Sequence, residues 1–381
     1  MLETKNDASP KAVFISALFN DVDADDLLQT DEALRSRIAE NAFAFFSERT
    51  PGEQKLRLYD ISSSNGEDTI TVIEALNDDM PFLVSSALAG IVDRGLNVRV
   101  ASHPIYRTQR NESGEVTALS IGSASGMAMG QPESLIHFQV DAITDQKLRD
   151  ELKSELEDIF RQVRVVVQDW QPMISRLRGV IDRYVTMPPP VAVDELAESV
   201  HFLKWLAEGN FTLLGLREYE FSLQNGTPHL EANKENSLGL LRDPNLRVLR
   251  REDSDREMGP IAKEFYSVDT PLIVATANFI SPVQRRVPVN SIGIKLFSAD
   301  GRLTGELRMV GLFSSTAYNQ PVGEIPFLRH KGEKVMRALG HGQTSHSGRV
   351  LKNIIETFPR DELFQISSEE LIEMCAKLVR L

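Results

Sequence analysis

Apolar residues along the first 186 positions recur either at every second residue or at intervals of three to four residues, which predicts strands mixed with helices. The segment 69–75 alternates and is rich in β-branched residues, as strands are. A polar turn leads from it into an apolar helical segment that Gly95 ends. The predicted elements, in chain order, are a helix over 31–47, strands over 56–61 and 69–75, a helix over 82–92, and strands over 96–106, 116–121 and 135–143.

A long helical pattern then runs from Leu148 to Ile181. Pro172 lies inside it and is expected to kink or break the helix near Asp169, because proline lacks the N–H group that a helix interior uses. The sequence MPPP follows at 187–190, and three consecutive prolines cannot continue a helix. This tetrapeptide predicts a domain boundary.

The second half repeats the mixture of strands and helices. Asn225-Gly226 and Asp300-Gly301 are each typical of a tight hairpin turn. The predicted elements are a helix over 196–207, strands over 211–221, 271–279, 289–297 and 303–313, a helix over 325–339, and helices over 350–357 and 368–381.

These patterns predict the α+β class, with two modules that each consist of an antiparallel sheet and flanking helices. The predicted organisation is an N-terminal tail over 1–30, a first domain over 31–186, a second domain over 187–340, and a helical segment over 341–381 that leads into a further domain.

Composition and charge narrow the class of protein. Of the 381 residues, 41% are hydrophobic and 25% charged, which is an ordinary globular balance. Asp and Glu total 55 against 42 Lys and Arg, so the net charge of −13 disfavours nucleic-acid partners.

Cys375 is the single cysteine, which excludes an internal disulfide and is typical of a reducing compartment. The sequence shows neither a signal peptide nor a membrane-spanning helix, so we expect a cytoplasmic protein without a membrane partner.

Sequence motifs for catalysis and cofactor binding are missing. Gly122, Gly126 and Gly130 are spaced by four and precede no helix, unlike the glycine fingerprint of dinucleotide-binding folds. The histidines His341 and His346 lie in a Gly/Ser-rich segment without a nearby carboxylate, so an ordinary loop is favoured over a metal site. His103 and His137 lie at strand positions, where partly buried, hydrogen-bonded histidines are expected. We therefore predict no catalytic, cofactor-binding or metal-binding residue in this chain.

The turn between the strand at 69–75 and the next helix is the one candidate binding feature. It comprises Asn77, Asp78, Asp79, Met80 and Pro81. Asp78 and Asp79 would suit a pair of catalytic carboxylates, but capping of the helix, with Asp79 as the N-cap, is the favoured interpretation because an anion is stabilised at a helix N-terminus.

Several segments resemble the large bacterial NAD-specific glutamate dehydrogenases. The segments that carry this resemblance are NDDMPFLVSS (77–86), ESLIHFQVD (133–141), FLKWLAEGNFTLLGLREYE (202–220), SLGLLRDP (237–244), GLFSSTAYNQ (311–320), EIPFLRHK (324–331) and SHSGRVLKNIIETFPRDELFQ (345–365). The resemblance implies an ACT-like first domain, a PAS-like second domain and a lead-in to another ACT-like domain. The NAD-binding half and the catalytic residues of the family would lie beyond Leu381, so this chain would hold no cofactor itself.

The resemblance also implies a function. The parent reaction would be the NAD-dependent conversion of L-glutamate to 2-oxoglutarate and ammonia, and this chain alone would be inactive. Its partners would be its own catalytic domain and other subunits of a homo-oligomer. ACT domains often bind an amino-acid effector at their first strand-to-helix turn, which here is 77–81, but Phe82 replaces the glycine that usually follows the proline. The alternatives are a free-standing ACT/PAS sensor of small ligands and a complete enzyme with an unfamiliar site.

Overall fold

The computed structural model describes residues 9–27, 31–63, 66, 68–121, 130–224, 227–248, 266, 270–340 and 345–379. It contains two antiparallel sheets with helices, which confirms the predicted α+β class. The chain divides into two compact units: the first comprises residues 1–164 and 282–286, and the second comprises 165–281 and 287–381.

The first unit contains a six-stranded sheet in the order β1-β2-β6-β4-β5, with β3 also paired to β6. The strands predicted over 56–61, 69–75, 116–121 and 135–143 and the helix over 82–92 are confirmed, whereas the strand over 96–106 is split in two at His103-Pro104. The elements are α1 (Pro10–Ala17), α2 (Ala24–Leu27), α3 (Glu32–Phe46), β1 (Lys55–Ser62), β2 (Thr69–Asp78), α4 (Leu83–Asp93), β3 (Val98–Ser102), β4 (Ile105–Arg110), β5 (Val116–Ile121), β6 (Gln131–Asp141) and the first part of α5 (Gln146–Thr186).

The central strands β2 and β6 are buried on both faces, since consecutive residues of each strand are inaccessible to solvent. Leu76 and Leu135 are cross-strand partners on one face, where they pack against α1 and α3. Burial on both faces explains why the alternation in 135–143 is incomplete, because both faces need apolar residues.

The N-terminal segment belongs to the first unit over residues 10–18 and is not part of a tail, as the prediction for 1–30 had it. Phe14 and Leu18 are fully buried. The Phe14 ring stacks on Tyr106 with 5.0 Å between ring centroids, and the Tyr106 hydroxyl donates to the Phe14 carbonyl oxygen at 3.2 Å. A buried aromatic ring contributes enough free energy to fix so short a helix on the sheet.

The division between the units falls inside α5, after Arg164, and not at the MPPP sequence as predicted. The helix also continues through Pro172 instead of ending near Asp169. Its C-terminal part supplies Met173 and Leu177 to the core of the second unit. Apolar burial along this part compensates for the one hydrogen bond that proline removes.

The second unit contains a six-stranded sheet in the order β10-β11-β12-β7-β8, with β9 paired to β7. A turn at 298–302 joins β11 to β12, and Gly301 has a φ of 79°, which confirms the second predicted hairpin. Asn225 and Gly226 lie outside the described residues. The elements are the rest of α5, α6 (Val193–Trp205), a π-helical turn (Leu206–Asn210), β7 (Phe211–Gln224), β8 (Thr227–Ala232), β9 (Leu238–Gly239), a 3₁₀ turn (Leu240–Arg242), β10 (Leu272–Ile280), β11 (Pro288–Phe297), β12 (Leu303–Phe313), α7 (Ser315–Asn319), a 3₁₀ turn (Val322–Glu324), α8 (Leu328–Ala338), α9 (His346–Thr357), α10 (Arg360–Gln365) and α11 (Ser368–Val379).

The C-terminal helices form part of the second unit's core and do not simply lead out of it, as was expected for 341–381. Leu351, Leu363 and Leu371 are fully or almost fully buried in the same apolar cluster as the sheet. Phe364 stacks on Phe313 of β12, with 4.8 Å between ring centroids. The apolar faces of these helices pack on one another, on α8 and on the sheet, so they share one core with the second unit.

Lys331 in α8 connects the end of α10 to this core through hydrogen bonds. Its ammonium donates to the carbonyl oxygens of Leu363 at 2.7 Å, Phe364 at 3.2 Å and Ile366 at 2.7 Å. These are carbonyls that a helix C-terminus leaves without intrahelical partners. Burial, with a smaller effect of Lys334, lowers the pKa of Lys331 from 10.5 to about 8.

We expect Phe14→Ala to lower the free energy of unfolding of the first unit by about 3–5 kcal/mol, because it leaves a cavity among buried rings. Ile15→Ala, at a neighbouring position that is 36% exposed, is the matched control and should change it by no more than about 0.5 kcal/mol. Urea denaturation measures both values. Equal effects of the two substitutions would show that α1 is not packed on the sheet.

We expect Lys331 to make stability depend on pH above about 8. Between about 8 and 10.5 the unfolded chain binds the proton more tightly than the folded chain, so stability rises with pH in this window. Below about 8 the ammonium is charged in both states, so this dependence of stability on pH ends there. The difference in unfolding free energy between the wild type and Lys331→Met should therefore shift in favour of the wild type from pH 7.5 to pH 10. Lys352→Met, at an exposed position, should show no such change.

Candidate functional site

The candidate effector turn connects β2, which ends at Asp78, to α4, which begins at Leu83. The Asp79 N–H donates to the carbonyl oxygen of Pro132 at 3.0 Å, which fixes the turn beside β6. The predicted residues therefore lie together at one end of the central strands. Asn77 is buried, Asp78, Asp79 and Met80 are partly buried, and Pro81 is exposed.

Phe82, and not Asp79, occupies the N-cap position of α4. It has a φ of 74° and a ψ of −8°, and no side chain caps the helix. The prediction that Asp79 caps α4 is therefore wrong, because the turn places this residue three positions too early. This left-handed conformation costs a residue with a Cβ atom roughly 1–2 kcal/mol and costs glycine almost nothing. The backbone thus keeps the conformation of a glycine although the residue is phenylalanine.

Asp78 forms an ion pair with Arg49 that was not predicted. Its cross-strand partner on β6 is Glu133, so two carboxylates face each other. Arg49 lies between them and donates to Asp78 at 2.7 Å and to Glu133 at 2.9 Å. The Arg49 residue is only 1% exposed, whereas the Asp78 side chain is 46% exposed. Asp78 is therefore a partner of Arg49 first and is poorly placed to bind a ligand.

A second arginine completes this network. Arg110 binds Glu133 through two hydrogen bonds, of 2.9 Å and 2.7 Å. The same guanidinium donates to the carbonyl oxygens of Phe46 at 3.0 Å and Gly114 at 2.7 Å. The network joins β6, β4 and the C-terminus of α3, and each of its charges has an opposite charge beside it.

Asn77 is the unsatisfied group of the turn. The residue is 1% exposed, and its amide nitrogen has no hydrogen-bond partner among the described residues. Its cross-strand partner, Ser134, is fully buried, and the Ser134 hydroxyl lies 2.7 Å from Nε2 of His103. Burial lowers the pKa of His103, although the charge of Asp79 opposes this shift. A buried donor without a partner costs roughly 1–3 kcal/mol, so such a group calls for an explanation.

His137 also has hydrogen-bond partners, as predicted for both strand histidines. It is fully buried, with Nδ1 at 3.0 Å from the Glu74 carboxylate and Nε2 at 3.1 Å from the Gln139 amide. Arg57 pairs with the other oxygen of Glu74 at 2.7 Å. The group is closed to solvent around His137, which indicates a structural role.

Within the described residues, no group of three or more His, Cys, Asp or Glu side chains is arranged to hold a metal ion. His341, Gly122 and Gly126 lie outside those residues, and His346 is the first residue of α9. None of the described helices is long and apolar enough to cross a membrane. The turn thus offers a mixed set of groups: the Asn77 amide, the Asp79 carboxylate and the first N–H groups of α4.

Two family models match this chain, one near each end. Residues 14–156 match the family model of the glutamate dehydrogenase ACT1 domain, and residues 325–381 match that of glutamate dehydrogenase helical motif 1. An NAD-specific glutamate dehydrogenase of Halomonas elongata is 30% identical over 86% of this chain and 20% of its own length. Similar enzymes from Pseudomonas aeruginosa and Mycobacterium tuberculosis are 28% and 26% identical over 93% and 87% of the chain, and over 22% and 19% of their own lengths.

The chain is therefore similar to the N-terminal region of NAD-specific glutamate dehydrogenases. It spans about a fifth of the length of these relatives. The ACT1 range begins at Phe14, so it includes the aromatic residue that packs α1 on the sheet of the first unit. The helical motif 1 range contains α8 to α11, which pack in the second unit.

Sequence reasoning missed the two arginines on which the turn depends. Arg49 follows α3 in a polar segment and has the pattern of an ordinary surface residue. Only the antiparallel register, which places Glu133 opposite Asp78, shows that a cation is required there. A pair of acidic residues at matching ends of two neighbouring predicted strands was the one available signal.

We expect Arg49→Met to lower the free energy of unfolding by about 3–5 kcal/mol, because it leaves the opposed carboxylates without the cation between them. Lys11→Met removes an ion pair in which both side chains are about half exposed and is the matched control. Its effect should stay below about 1 kcal/mol. Chemical denaturation measures both, and a small effect at Arg49 would contradict the role assigned to it.

Proposed function

We propose that this chain is a non-catalytic regulatory and assembly region of an NAD-dependent glutamate dehydrogenase. The parent reaction converts L-glutamate, NAD and water to 2-oxoglutarate, ammonia and NADH. NAD and the reacting groups belong to another part of the longer protein. The observation that carries this proposal is the ACT1 match over 14–156 in a chain that spans about a fifth of its relatives.

The proposal extends to the second unit and to the partners. Its antiparallel sheet, with α5, α6 and the C-terminal helices packed in one apolar core, supports a PAS-like domain. The partners are the catalytic domain of the same polypeptide and other subunits of a homo-oligomer. The whole protein is cytoplasmic, in keeping with an acidic chain that has a single, buried cysteine.

At the turn we propose a site for an amino-acid effector that Phe82 restricts. The first N–H groups of α4 and the Asn77 amide suit a carboxylate, because a helix N-terminus carries partial positive charge. Asp79 suits an ammonium group. Phe82 stands where glycine would let a ligand approach the backbone, and it already has the backbone conformation of glycine.

The assembly function is tested by an activity assay on the purified chain beside its full-length parent. The chain should form no NADH from L-glutamate and NAD, whereas the parent should. A parent whose residues 1–381 are deleted should lose its oligomeric state, as measured by analytical ultracentrifugation. Activity of the chain alone, or an unchanged oligomer after the deletion, would contradict the proposal.

Phe82→Gly is expected to increase the effect of an amino-acid effector on the melting temperature. At 100 times the dissociation constant, a ligand adds about 2.7 kcal/mol, or roughly 5–10 °C for a unit of this size. A screen of the twenty amino acids should give a larger shift with Phe82→Gly than with the wild type, and Asp79→Asn should abolish it.

Phe327→Gly is the matched control, since Phe327 is another phenylalanine with positive φ, at 64°, in the second unit. It should leave every ligand shift as in the wild type. Identical shifts for Phe82→Gly and Phe327→Gly would show that Phe82 does not restrict the turn. A shift in the wild type as large as that in Phe82→Gly would likewise show that Phe82 leaves the turn open.

A further inference from the structure

A short segment of the first unit comes from a distant part of the chain. Residues 282–286, here called the strap, belong to this unit although they lie between β10 and β11 in the sequence. The Ser281 N–H donates to the Val287 carbonyl oxygen at 2.9 Å, which closes the base of the strap. Val283, within the strap, is fully buried. The strap is therefore a packed part of the first unit, and the function proposed above gives it no role.

Two consecutive hydrogen bonds connect the strap to the start of α4. The Gln284 N–H donates to the Ser86 hydroxyl at 2.8 Å. The Ser86 N–H in turn donates to the Phe82 carbonyl oxygen at 3.0 Å, which is the bond that closes the first turn of the helix. Ser86 is 1% exposed, so water does not compete for its hydroxyl. The strap thus contacts the residue that holds Phe82, next to the candidate effector turn.

A shared carboxylate fixes the strap near the other end of α4. Arg286 of the strap forms an ion pair with Glu155 of α5. Arg94, at the C-cap of α4, donates to the same carboxylate at 2.6 Å. Between these contacts lies Gly90, where a Cβ atom would be 3.6 Å from the Arg286 guanidinium. The strap is therefore held along α4 from Ser86 to the end of the helix.

Both ends of this hydrogen-bonded connection have a strained backbone. Among the residues that the structure describes, the non-glycine residues with positive φ are Phe82, Gln284 and Phe327. Phe82 has a φ of 74° and Gln284 a φ of 72°. A residue with a Cβ atom keeps this left-handed conformation only where its surroundings hold it, and such positions are frequent in switch regions. Since Ser86 binds both residues, each strained conformation depends on the other.

We propose that docking of the strap on α4 keeps the effector turn closed, an inference that rests on the effector site proposed above. With the strap docked, Ser86 stays in place and Phe82 keeps the conformation that restricts the turn. Release of the strap frees Ser86, so the first turn of α4 unwinds and Phe82 leaves the left-handed conformation. A ligand that binds only the open turn also releases the strap, because coupling between two binding equilibria is reciprocal.

Deuterium uptake of the peptide 281–288, measured by mass spectrometry on the whole chain, tests the connection without a ligand. Ser86→Ala removes the hydroxyl that holds the strap and should raise the uptake rate about tenfold, because the strap then opens more often. Phe82→Gly relieves the strain at the other end and should lower the rate about fivefold. Ser154→Ala, at an exposed position of α5, and Phe327→Gly, in the second unit, are the matched controls and should leave it unchanged. A rate that Phe82→Gly leaves as in the wild type would overturn the proposal.

Calorimetric titration with each of the twenty amino acids measures the consequence for the ligand. Any that binds should bind Ser86→Ala about threefold or more tightly than the wild type, because less of the variant is closed. Gln284→Gly should bind it more weakly than Gln284→Ala, since both lack the side chain and only glycine relieves the strained backbone.

The two measurements separate the strap from the effector site. Binding of an amino acid with equal affinity to the wild type and Ser86→Ala would overturn the role of the strap. The expected changes in deuterium uptake without binding of any amino acid would support the connection between the strap and Phe82 and refute the effector site alone.

Discussion

Two carboxylates face each other across the central strands of the first unit, and the arrangement of that unit depends on the cation between them. Asp78 on β2 and Glu133 on β6 are cross-strand partners, and like charges in this position destabilise a sheet. Arg49 offsets this repulsion by binding both carboxylates, and Arg110 also binds Glu133. Since both arginines also bind nearby backbone carbonyls, the ends of β2, β6, β4 and α3 are fixed relative to one another.

The ion pair with Arg49 limits which residues of the candidate effector turn are able to contact a ligand. Asp78 is committed to Arg49, so its loss would disturb the sheet before it affected any ligand. Asn77 and Asp79 remain, next to a helix whose N-cap side chain makes no hydrogen bond. Phe82 combines the backbone conformation of glycine with a bulky side chain. A ligand at this turn would therefore meet the Phe82 side chain where a glycine would leave the backbone open.

The fold was predictable from the sequence wherever local patterns decide the structure. The β2–α4 connection, the hairpin at Asp300-Gly301 and the long helix α5 all follow from periodicity and turn residues. The docking of α1 was not predictable, because the short apolar segment 12–19 lies in a polar stretch and its packing partners, such as Tyr106, are far away in the sequence. The prediction that Pro172 breaks the helix was wrong for a related reason, because tertiary packing of α5 outweighs the helix-breaking effect of one proline.

The strand-to-helix turn was predictable in position, but the contacts of its residues were not. The sequence located 77–81, yet the role of Asp78 depends on Arg49, which lies 29 residues earlier, and on a strand register that no local pattern contains. Contacts between residues far apart in sequence assigned these roles.

A double-mutant cycle of Arg49→Met and Glu133→Gln, followed by urea denaturation, tests the role of the central ion network most directly. Residues in one buried network have interaction energies of about 0.5–3 kcal/mol, whereas independent residues have values close to zero. The role assigned to Arg49 predicts an interaction energy of at least about 1.5 kcal/mol. Additive effects of the two substitutions would show that Arg49 and Glu133 act independently, and that something else holds the opposed carboxylates together.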